Sequence, residues 1–578
     1  MKIDSPEGPV LGHFENTEQG KEIRESCYEL LLLLAEAVGF DMPNQQPEER
    51  HRHHTEALRI LDRAANLGVT TQAFHLYRAR YLAALGRDGE ARQERQQARA
   101  TAASTALDSF LSGNEKIKSG DLEQASKDLE NAVRVQPNHF WAHYFLGICS
   151  LKRHGPAEAR ASFNTCLSLR SGFIGTYLLR GFAHAELQQF RAAEEDYDKA
   201  LQLNPTEEDR YAIYVNRGVM RIRQAEFPEA LDDLRRAISS NPDKYEAYLD
   251  MAQAYQESNQ LTKAVELIDQ AIARAAAKEP LYRIRAQMHL GLQDSEAALR
   301  DLDQALHTGQ NPKNAVLAAE DHVERGRILH QGKRYKQAVA AYEEALALRP
   351  EFAEAYRLKG RALLELQCFP EAIEAFEQYF KRADPDVPTY LACAWAKGKI
   401  GRYTSAIDDY TLALKFKPDS ETFTNRGWMH LFCDAPKLAQ RDFEEALQLN
   451  PKNAEAYNGR GYARVLQGKY QEGIKDAKTA LELGPESTPL LYHAARTFAQ
   501  AVGKLDVDPT RRSRRDAETG YAYQIRAFEL IRGALRLLPE IEQSKFWANI
   551  IKADGALDPI RTSSQWAYLE SRYSKPAK

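Results

Sequence analysis

The chain has 578 residues, enough for several globular domains or for one long array of repeats. It carries 78 Lys and Arg against 82 Asp and Glu, a formal net charge of −4, and this balance gives no general electrostatic attraction to nucleic acid. The most apolar run, Leu30 to Leu34, is far shorter than the roughly 20 residues that span a bilayer. We therefore expect neither a nucleic-acid-binding nor a membrane-spanning protein.

The N-terminus and the cysteines predict a cytoplasmic location. The first residues, Met1 to Gly8, contain no apolar signal core. No two of the six cysteines form a CxxC pair, and scattered single cysteines are typical of buried packing in a reducing compartment. These cysteines are Cys27, Cys149, Cys166, Cys368, Cys393 and Cys433.

Residues 1–71 are predicted to form an N-terminal cap. Residues 19–38 and 49–66 resemble a degenerate helical hairpin, in which Ala57, Leu61 and Ala64 lie on one face of the second helix. His51, His53 and His54 lie in this segment and could hold a metal, but no Cys or further His stands at ligand spacing. We interpret them as a solvated helix surface and expect no metal or other cofactor.

Residues 72–541 are predicted to be a repeat array. A Gly or Ala recurs, mostly every 34 residues, and a second small residue follows each one about twelve positions later. The first small positions are Ala79, Gly113, Gly147, Gly181, Gly218, Ala252, Ala286, Gly326, Gly360, Ala394, Gly427, Gly461 and Ala495.

Each repeat reads as two amphipathic helices that pack closely where small side chains let the backbones approach to about 8 Å. Bulky residues such as Phe163, Tyr197 and Phe443 come four positions after the second small residue, on the same helix face. An acid also follows an Arg at a separation of 16 residues in six repeats, and we expect an ion pair inside each of these hairpins. The six pairs are Arg78–Glu94, Arg180–Asp196, Arg217–Asp233, Arg285–Asp301, Arg426–Asp442 and Arg460–Asp476.

The C-terminal end departs from the register. An insertion at 503–520 splits the last repeat, and it carries Arg511, Arg512, Arg514 and Arg515. It reads either as an exposed, solvated loop or as a docking site for an acidic partner or phosphate. Residues 542–578 are expected to form a helical cap and tail.

A 34-residue unit with these small, bulky and proline positions resembles the tetratricopeptide repeat, and Asn425 to Pro451 is similar to its consensus. The resemblance implies an all-α fold, an α-solenoid superhelix of about 13–14 hairpins whose first helices line a concave groove. It also implies a non-enzymatic scaffold that binds a protein or peptide. Phosphate-loop, kinase, metalloprotease and nucleophile-elbow motifs do not occur in the sequence.

The family places the residue just after each first small position in the groove. Together with nearby residues of the same helices, these positions form three groups. The first is apolar and runs to Val219: Phe110, Trp141, Tyr144, Ile148 and Phe182. The second is polar: Arg327, Arg357 and Arg361. The third is an aromatic ladder: Trp395, Trp428, Tyr462 and Tyr492. Exposed aromatics are typical binding anchors, although packing between repeats remains an alternative for both apolar groups.

A second resemblance rests on three stretches: Glu56 to Ala64, Asp434 to Ala439, and the tail around Phe546–Trp547 and Asp558 to Arg561. Together they resemble the repeat regions that follow serine/threonine kinase domains in large planctomycete proteins. This implies a bacterial source and an alternative function, a regulatory or substrate-docking arm with a kinase-associated partner.

Overall fold

A computed structural model describes residues 18–40, 46–68, 70–101, 105–308, 315–505 and 513–574. These residues form helices and turns without any strand, so the predicted all-α repeat fold is confirmed. The chain divides into two compact units, Met1–Asp294 and Ser295–Lys578.

In its described residues, unit 1 has fifteen helices, of which the first fourteen pair in sequence order as seven hairpins. Their bounds are α1 Glu18–Val38, α2 Pro47–Ala65, α3 Gln72–Ala84, α4 Asp88–Ala100, α5 Ala106–Ser119, α6 Leu122–Val135, α7 Phe140–Lys152, α8 Pro156–Leu169, α9 Ile174–Glu186, α10 Phe190–Gln202, α11 Glu207–Arg223, α12 Phe227–Ser240, α13 Glu246–Glu257, α14 Leu261–Arg274 and α15 Glu279–Gly291.

Unit 2 begins with α16, continues with six hairpins from α17 to α28, and ends in a short helical tail. The bounds are α16 Ser295–Thr308, α17 Ala315–Gln331, α18 Tyr335–Leu348, α19 Ala353–Glu365, α20 Phe369–Phe380, α21 Val387–Lys399, α22 Tyr403–Phe416, α23 Ser420–Phe432, α24 Pro436–Leu449, α25 Ala454–Leu466, α26 Tyr470–Leu483, α27 Thr488–Leu505, α28 Arg514–Arg536, α29 Glu540–Phe546, a π-helical turn Trp547–Ile551, a 3₁₀ helix Gly555–Ile560 and α30 Ser564–Tyr573.

The described ends of the predicted exposed loop at 503–520 belong to helices, at 503–505 and from Arg514 onward, which corrects the sequence interpretation for those residues. Gly503 belongs to α27, and α28 begins at Arg514 because the Ser513 hydroxyl and the Asp516 carboxylate form a capping box. Arg515 is exposed in the first turn of α28. Arg511 and Arg512 lie outside the described residues.

Small residues of the first helix set the spacing within each hairpin. A β-carbon on Gly360 would lie 2.5 Å from the Phe376 ring, and one on Gly147 would lie 2.5 Å from the Phe163 ring. Both aromatic rings are fully buried. The ring therefore occupies the space that a larger first-helix residue would need. A glycine on the first helix and an aromatic ring on the second thus require each other.

The turn between the two helices of a hairpin repeatedly uses a left-handed residue, seven positions after the first small residue. Glycine fills it at Gly86, Gly120, Gly401 and Gly468, with φ between 76° and 87°. Other repeats force a side chain into this conformation, as at Ala225 with φ 59° and Gln367 with φ 59°. A left-handed non-glycine residue costs about 1–2 kcal/mol.

Replacing Ala225 by glycine is expected to stabilise the protein, because the relief of left-handed strain exceeds the added chain entropy. The expected gain is about 0.5–1 kcal/mol in the free energy of unfolding. The matched change Gly401→Ala should destabilise by a similar amount. Urea denaturation followed by circular dichroism measures both, and a loss of stability in Ala225→Gly would contradict the strain argument.

Five of the six predicted ion pairs are present within their units. Arg180, Arg217, Arg426 and Arg460 each approach both carboxylate oxygens of their partner, with atom-to-atom distances between 2.5 and 2.9 Å. Arg78 approaches Glu94 at 2.9 Å. The members of the sixth pair lie in different units, and Arg285 contacts Asp269 within its own unit.

Several of the same acids also accept a cation that lies twelve residues earlier, which the sequence interpretation missed. Asp233 contacts Arg221 at 2.7 Å and Asp476 contacts Arg464 at 2.8 Å. Each carboxylate is almost completely buried. Such pairs fix the geometry between two helices more than they add stability, since both charges lose hydration.

Removing one partner leaves a buried charge uncompensated, so Arg426→Met should lower the free energy of unfolding by about 3 kcal/mol. The double variant with Asp442→Leu should recover most of this loss. The control is the exposed pair Arg191–Glu195, whose side chains are 95% and 68% accessible; its disruption should cost less than about 1 kcal/mol. Equal effects at both sites would refute a special role for the buried pairs.

Candidate functional site

An apolar surface lies on three consecutive first helices of unit 1. It consists of Trp141, Tyr144 and Ile148 on α7, Phe182 on α9 and Val219 on α11; we call it the unit 1 surface. The helices α7 and α9, and α9 and α11, contact one another directly. Trp141 is 38% exposed and the other four side chains are half-buried. Apolar area therefore stays accessible to a partner.

Aromatic contacts hold one end of this surface in place. Phe173, at the N-cap of α9, packs edge-on against Trp141 and Tyr144, with ring centroids 5.5 and 5.4 Å apart. Burial raises the pKa of the Tyr144 hydroxyl to about 12, so it stays protonated near neutral pH. The prediction that Phe110 joins the exposed stretch is wrong, because its buried ring packs against His139 and Phe145.

The predicted polar stretch in unit 2 is partly neutralised. Glu354 contacts Arg357 at 2.6 Å and Arg327 at 3.1 Å, and its hydrogen bond with Arg357 raises the pKa of that guanidinium. Arg361 is half-buried and has no ion-pair partner among the residues that the structure describes. This leaves Arg361 as the charge of the group most available to a ligand.

The aromatic ladder differs from its prediction. Trp395 is 44% exposed, with the Lys399 ammonium 5.2 Å from its ring centroid. Trp428, Tyr462 and Tyr492 are each below 9% exposure, so the expectation that they form an open surface is wrong. They are buried because other parts of unit 2 cover them.

The C-terminal tail provides much of this cover. Ala556, in the 3₁₀ helix, belongs to the apolar cluster that contains Trp428 and Tyr462, and its carbonyl accepts a hydrogen bond of 2.8 Å from Gln500. Asp554 accepts a hydrogen bond of 2.5 Å from the Tyr492 hydroxyl. A short segment of the chain's own tail thus occupies the positions predicted for a ligand.

Arg496 and His493, both on α27, complete the covered ladder. The Arg496 guanidinium lies 4.7 Å from the Tyr462 ring centroid and 2.8 Å from Asp554, so it joins the ladder to the tail. The His493 ring lies 4.4 Å from that of Trp428. Burial and the neighbouring Asp554 raise the pKa of Tyr492, which keeps its hydroxyl a hydrogen-bond donor. This contact could not be predicted from the repeat pattern, because the tail lies outside the repeat register.

The histidine interpretation also needs correction. His54 is not solvated but buried, with its ring 5.6 Å from that of Tyr81. In the described ranges no group of three or more His, Cys, Asp or Glu side chains could hold a metal ion. No helix in the same ranges has the length and apolarity to cross a membrane.

Asp554→Ala is expected to loosen the tail, since it leaves Arg496 and Tyr492 buried without their partner. Amide hydrogen exchange at residues 555–560 should become at least tenfold faster, corresponding to about 1.4 kcal/mol or more. The control is Asp558→Ala, which removes an exposed contact to Arg561 of 2.8 Å. Unchanged exchange in Asp554→Ala would show that apolar packing alone holds the tail.

Comparison with known proteins agrees with this architecture. Family models described as tetratricopeptide repeat match residues 110–171, 175–207, 221–288, 285–350, 323–388 and 436–488. Together these matches cover more than half of the chain, and the chain belongs to the tetratricopeptide repeat family.

Two curated relatives share this similarity. DnaJ homolog subfamily C member 3 of Gallus gallus is 22% identical over 346 residues, which are 56% of this chain and 62% of that protein. Hsp70-Hsp90 organizing protein 3 of Arabidopsis thaliana is 21% identical over 273 residues, or 47% of this chain and 42% of that protein. The chain thus spans less than two thirds of the length of either.

Among solved structures, a tetratricopeptide repeat protein from Parabacteroides merdae is 18% identical and matches 44% of this chain and 98% of its own, with a TM-score of 0.29.

Proposed function

We propose that this chain is a non-enzymatic, protein-binding scaffold whose unit 1 surface holds an apolar segment of a partner polypeptide. The observation that carries the proposal is the tail of unit 2. There the chain's own segment covers first-helix aromatics, including Trp428 and Tyr462. The unit 1 surface has equivalent repeat positions, at Ile148, Phe182 and Val219, and they remain accessible.

The covered ladder also suggests the chemistry of the partner. It combines a small apolar residue, Ala556, with a carboxylate, Asp554, that meets Arg496 and a tyrosine hydroxyl. The unit 1 surface offers Trp141 and Phe182 but no comparable arginine among its five residues. A mainly apolar segment therefore fits it better than an acidic one, and each buried aromatic can contribute about 2 kcal/mol.

The matched relatives make molecular chaperones the first partners to examine. One is named for organizing Hsp70 and Hsp90, and another is a DnaJ homolog. Tetratricopeptide repeat proteins as a family present helical surfaces to other polypeptides. Within this proposal, residues 72–541 form the binding array, and residues 1–71 and 542–578 act as its caps.

Trp395 and Arg361 are a secondary contact in this proposal, because both remain accessible in unit 2. A soluble, cytoplasmic location is part of the same proposal. The kinase-associated arm inferred from the second resemblance stays a prediction, since none of the reported matches bears on it.

The test is affinity capture of partners by the full chain and by a Trp141→Ala, Phe182→Ala variant. We expect specific partners to be lost from the variant, with at least a 30-fold weaker affinity for the purified partner, which corresponds to about 2 kcal/mol. The matched control is Phe416→Ala, Leu449→Ala, which removes exposed side chains from second helices. Equal capture by all three proteins would refute the unit 1 surface as the binding site.

A further inference from the structure

A cavity of about 630 Å³ lies among α3, α4, α5 and α6 in unit 1. This volume is within the range of sites that hold a small ligand or a few side chains. Its apolar lining comes from small or aliphatic residues, namely Leu76, Ala79 and Ala98, while Arg95 and Arg99 line it from α4. Leu76 is only half-buried, so part of the apolar lining remains accessible.

One position that lines this cavity carries a charged residue where other hairpins carry a core side chain. Sixteen residues after the first small residue, the other hairpins place a buried apolar side chain, for example Leu129, Phe163, Tyr197 and Phe443. In the hairpin α3/α4 this position follows Ala79 and is Arg95, which is exposed and lines the cavity. A guanidinium prefers water to the core, so Arg95 gives the cavity a polar, accessible edge instead of a ring packed between the two helices.

The neighbouring hairpin does not close this gap. In the described residues α4 packs on α3 but makes few contacts with α5, whereas α6 packs along α7 and α8 along α9. One side chain crosses instead: Gln72 donates a hydrogen bond of 2.9 Å to the Ala98 carbonyl and accepts one of 2.8 Å from the Ser112 hydroxyl. These two hydrogen bonds connect α4 and α5 through Gln72 and so fix the distance between the two helices.

The cations that line the cavity from α3 and α5 are each paired with a carboxylate. Arg80 pairs with Glu36 and, at 2.5 Å, with Glu115. Lys116 pairs with Asp128 at 2.6 Å, and Lys118 pairs with Glu36. Arg95 and Arg99 are exposed and have no ion-pair partner in the part of the chain that the structure describes.

We propose that this cavity is a second binding site, separate from the unit 1 surface, for a segment of a partner protein that carries a bulky apolar side chain next to carboxylates. The apolar side chain enters the cavity beside Leu76, the accessible part of its apolar lining. The carboxylates pair with Arg95 and Arg99, which lie one helical turn apart on α4. A guanidinium pairs with a carboxylate through two parallel hydrogen bonds, which gives the site its selectivity.

The test starts from a random dodecapeptide library displayed on phage. The library is selected on the native full chain and depleted on the Arg95→Phe variant, in which a ring fills the cavity and one charge is lost. Surviving peptides are synthesised, and their affinities are measured by fluorescence anisotropy. We expect them to carry Asp or Glu within a few residues of a bulky apolar residue, and to bind Arg95→Phe at least tenfold more weakly than the native chain.

Further variants separate the charge from the cavity. Arg95→Gln, Arg99→Gln should also weaken binding at least tenfold, and this variant decides the question if Arg95→Phe does not fold. Arg92→Gln, an exposed position of the same helix that does not line the cavity, should bind like the native chain. The Trp141→Ala, Phe182→Ala variant should also bind normally, so a failure of the proposed function would not affect this result.

Two outcomes would overturn the proposal. One is a set of selected peptides without acidic residues, and the other is equal affinity for the native chain and both α4 variants. Arg95→Phe also has an independent readout, because filling a cavity with a ring should raise the midpoint of thermal unfolding. A lower midpoint in a folded variant would show that the cavity beside Arg95 cannot hold a ring.

Discussion

The close approach of two helices at a glycine or alanine is the constraint on which the rest of this structure depends. At Gly360 and Gly147 the first helix carries no β-carbon, and the ring of Phe376 or Phe163 packs directly on its backbone. In other hairpins a buried arginine–carboxylate pair lies next to the small residue, as at Arg217 before Gly218 and Arg426 before Gly427, and fixes the angle and register of the two helices.

This constraint is also what made much of the fold predictable. A small residue that recurs mostly every 34 positions can be recognised without any structure, and the separation of 16 residues between Arg and acid follows from the hairpin geometry. Five ion pairs were predicted correctly from that spacing. The same periodicity carried the resemblance to the tetratricopeptide repeat, which implied the all-α class and about 13–14 hairpins.

The candidate site was less predictable, because exposure depends on what covers a residue. Trp428, Tyr462 and Tyr492 occupy binding positions by register, but Asp554 and Ala556 lie far away in sequence and outside the repeat pattern. The left-handed turns at Ala225 and Gln367 could not be predicted from the sequence. A left-handed residue is normally recognised because it is glycine, and these two positions are not.

The packing of the C-terminal tail on unit 2 affects how easily this part of the chain could gain or lose a repeat. Repeat proteins commonly gain or lose units by duplication and deletion, since each hairpin contacts mainly its neighbours. The tail breaks that rule, because it touches α27 while reaching Trp428 on α23 and Tyr462 on α25. A hairpin inserted between α23 and α27 would pull these partners out of reach. The C-terminal repeats therefore tolerate an added hairpin less well than α7/α8 in unit 1, whose described contacts run mainly to neighbouring hairpins.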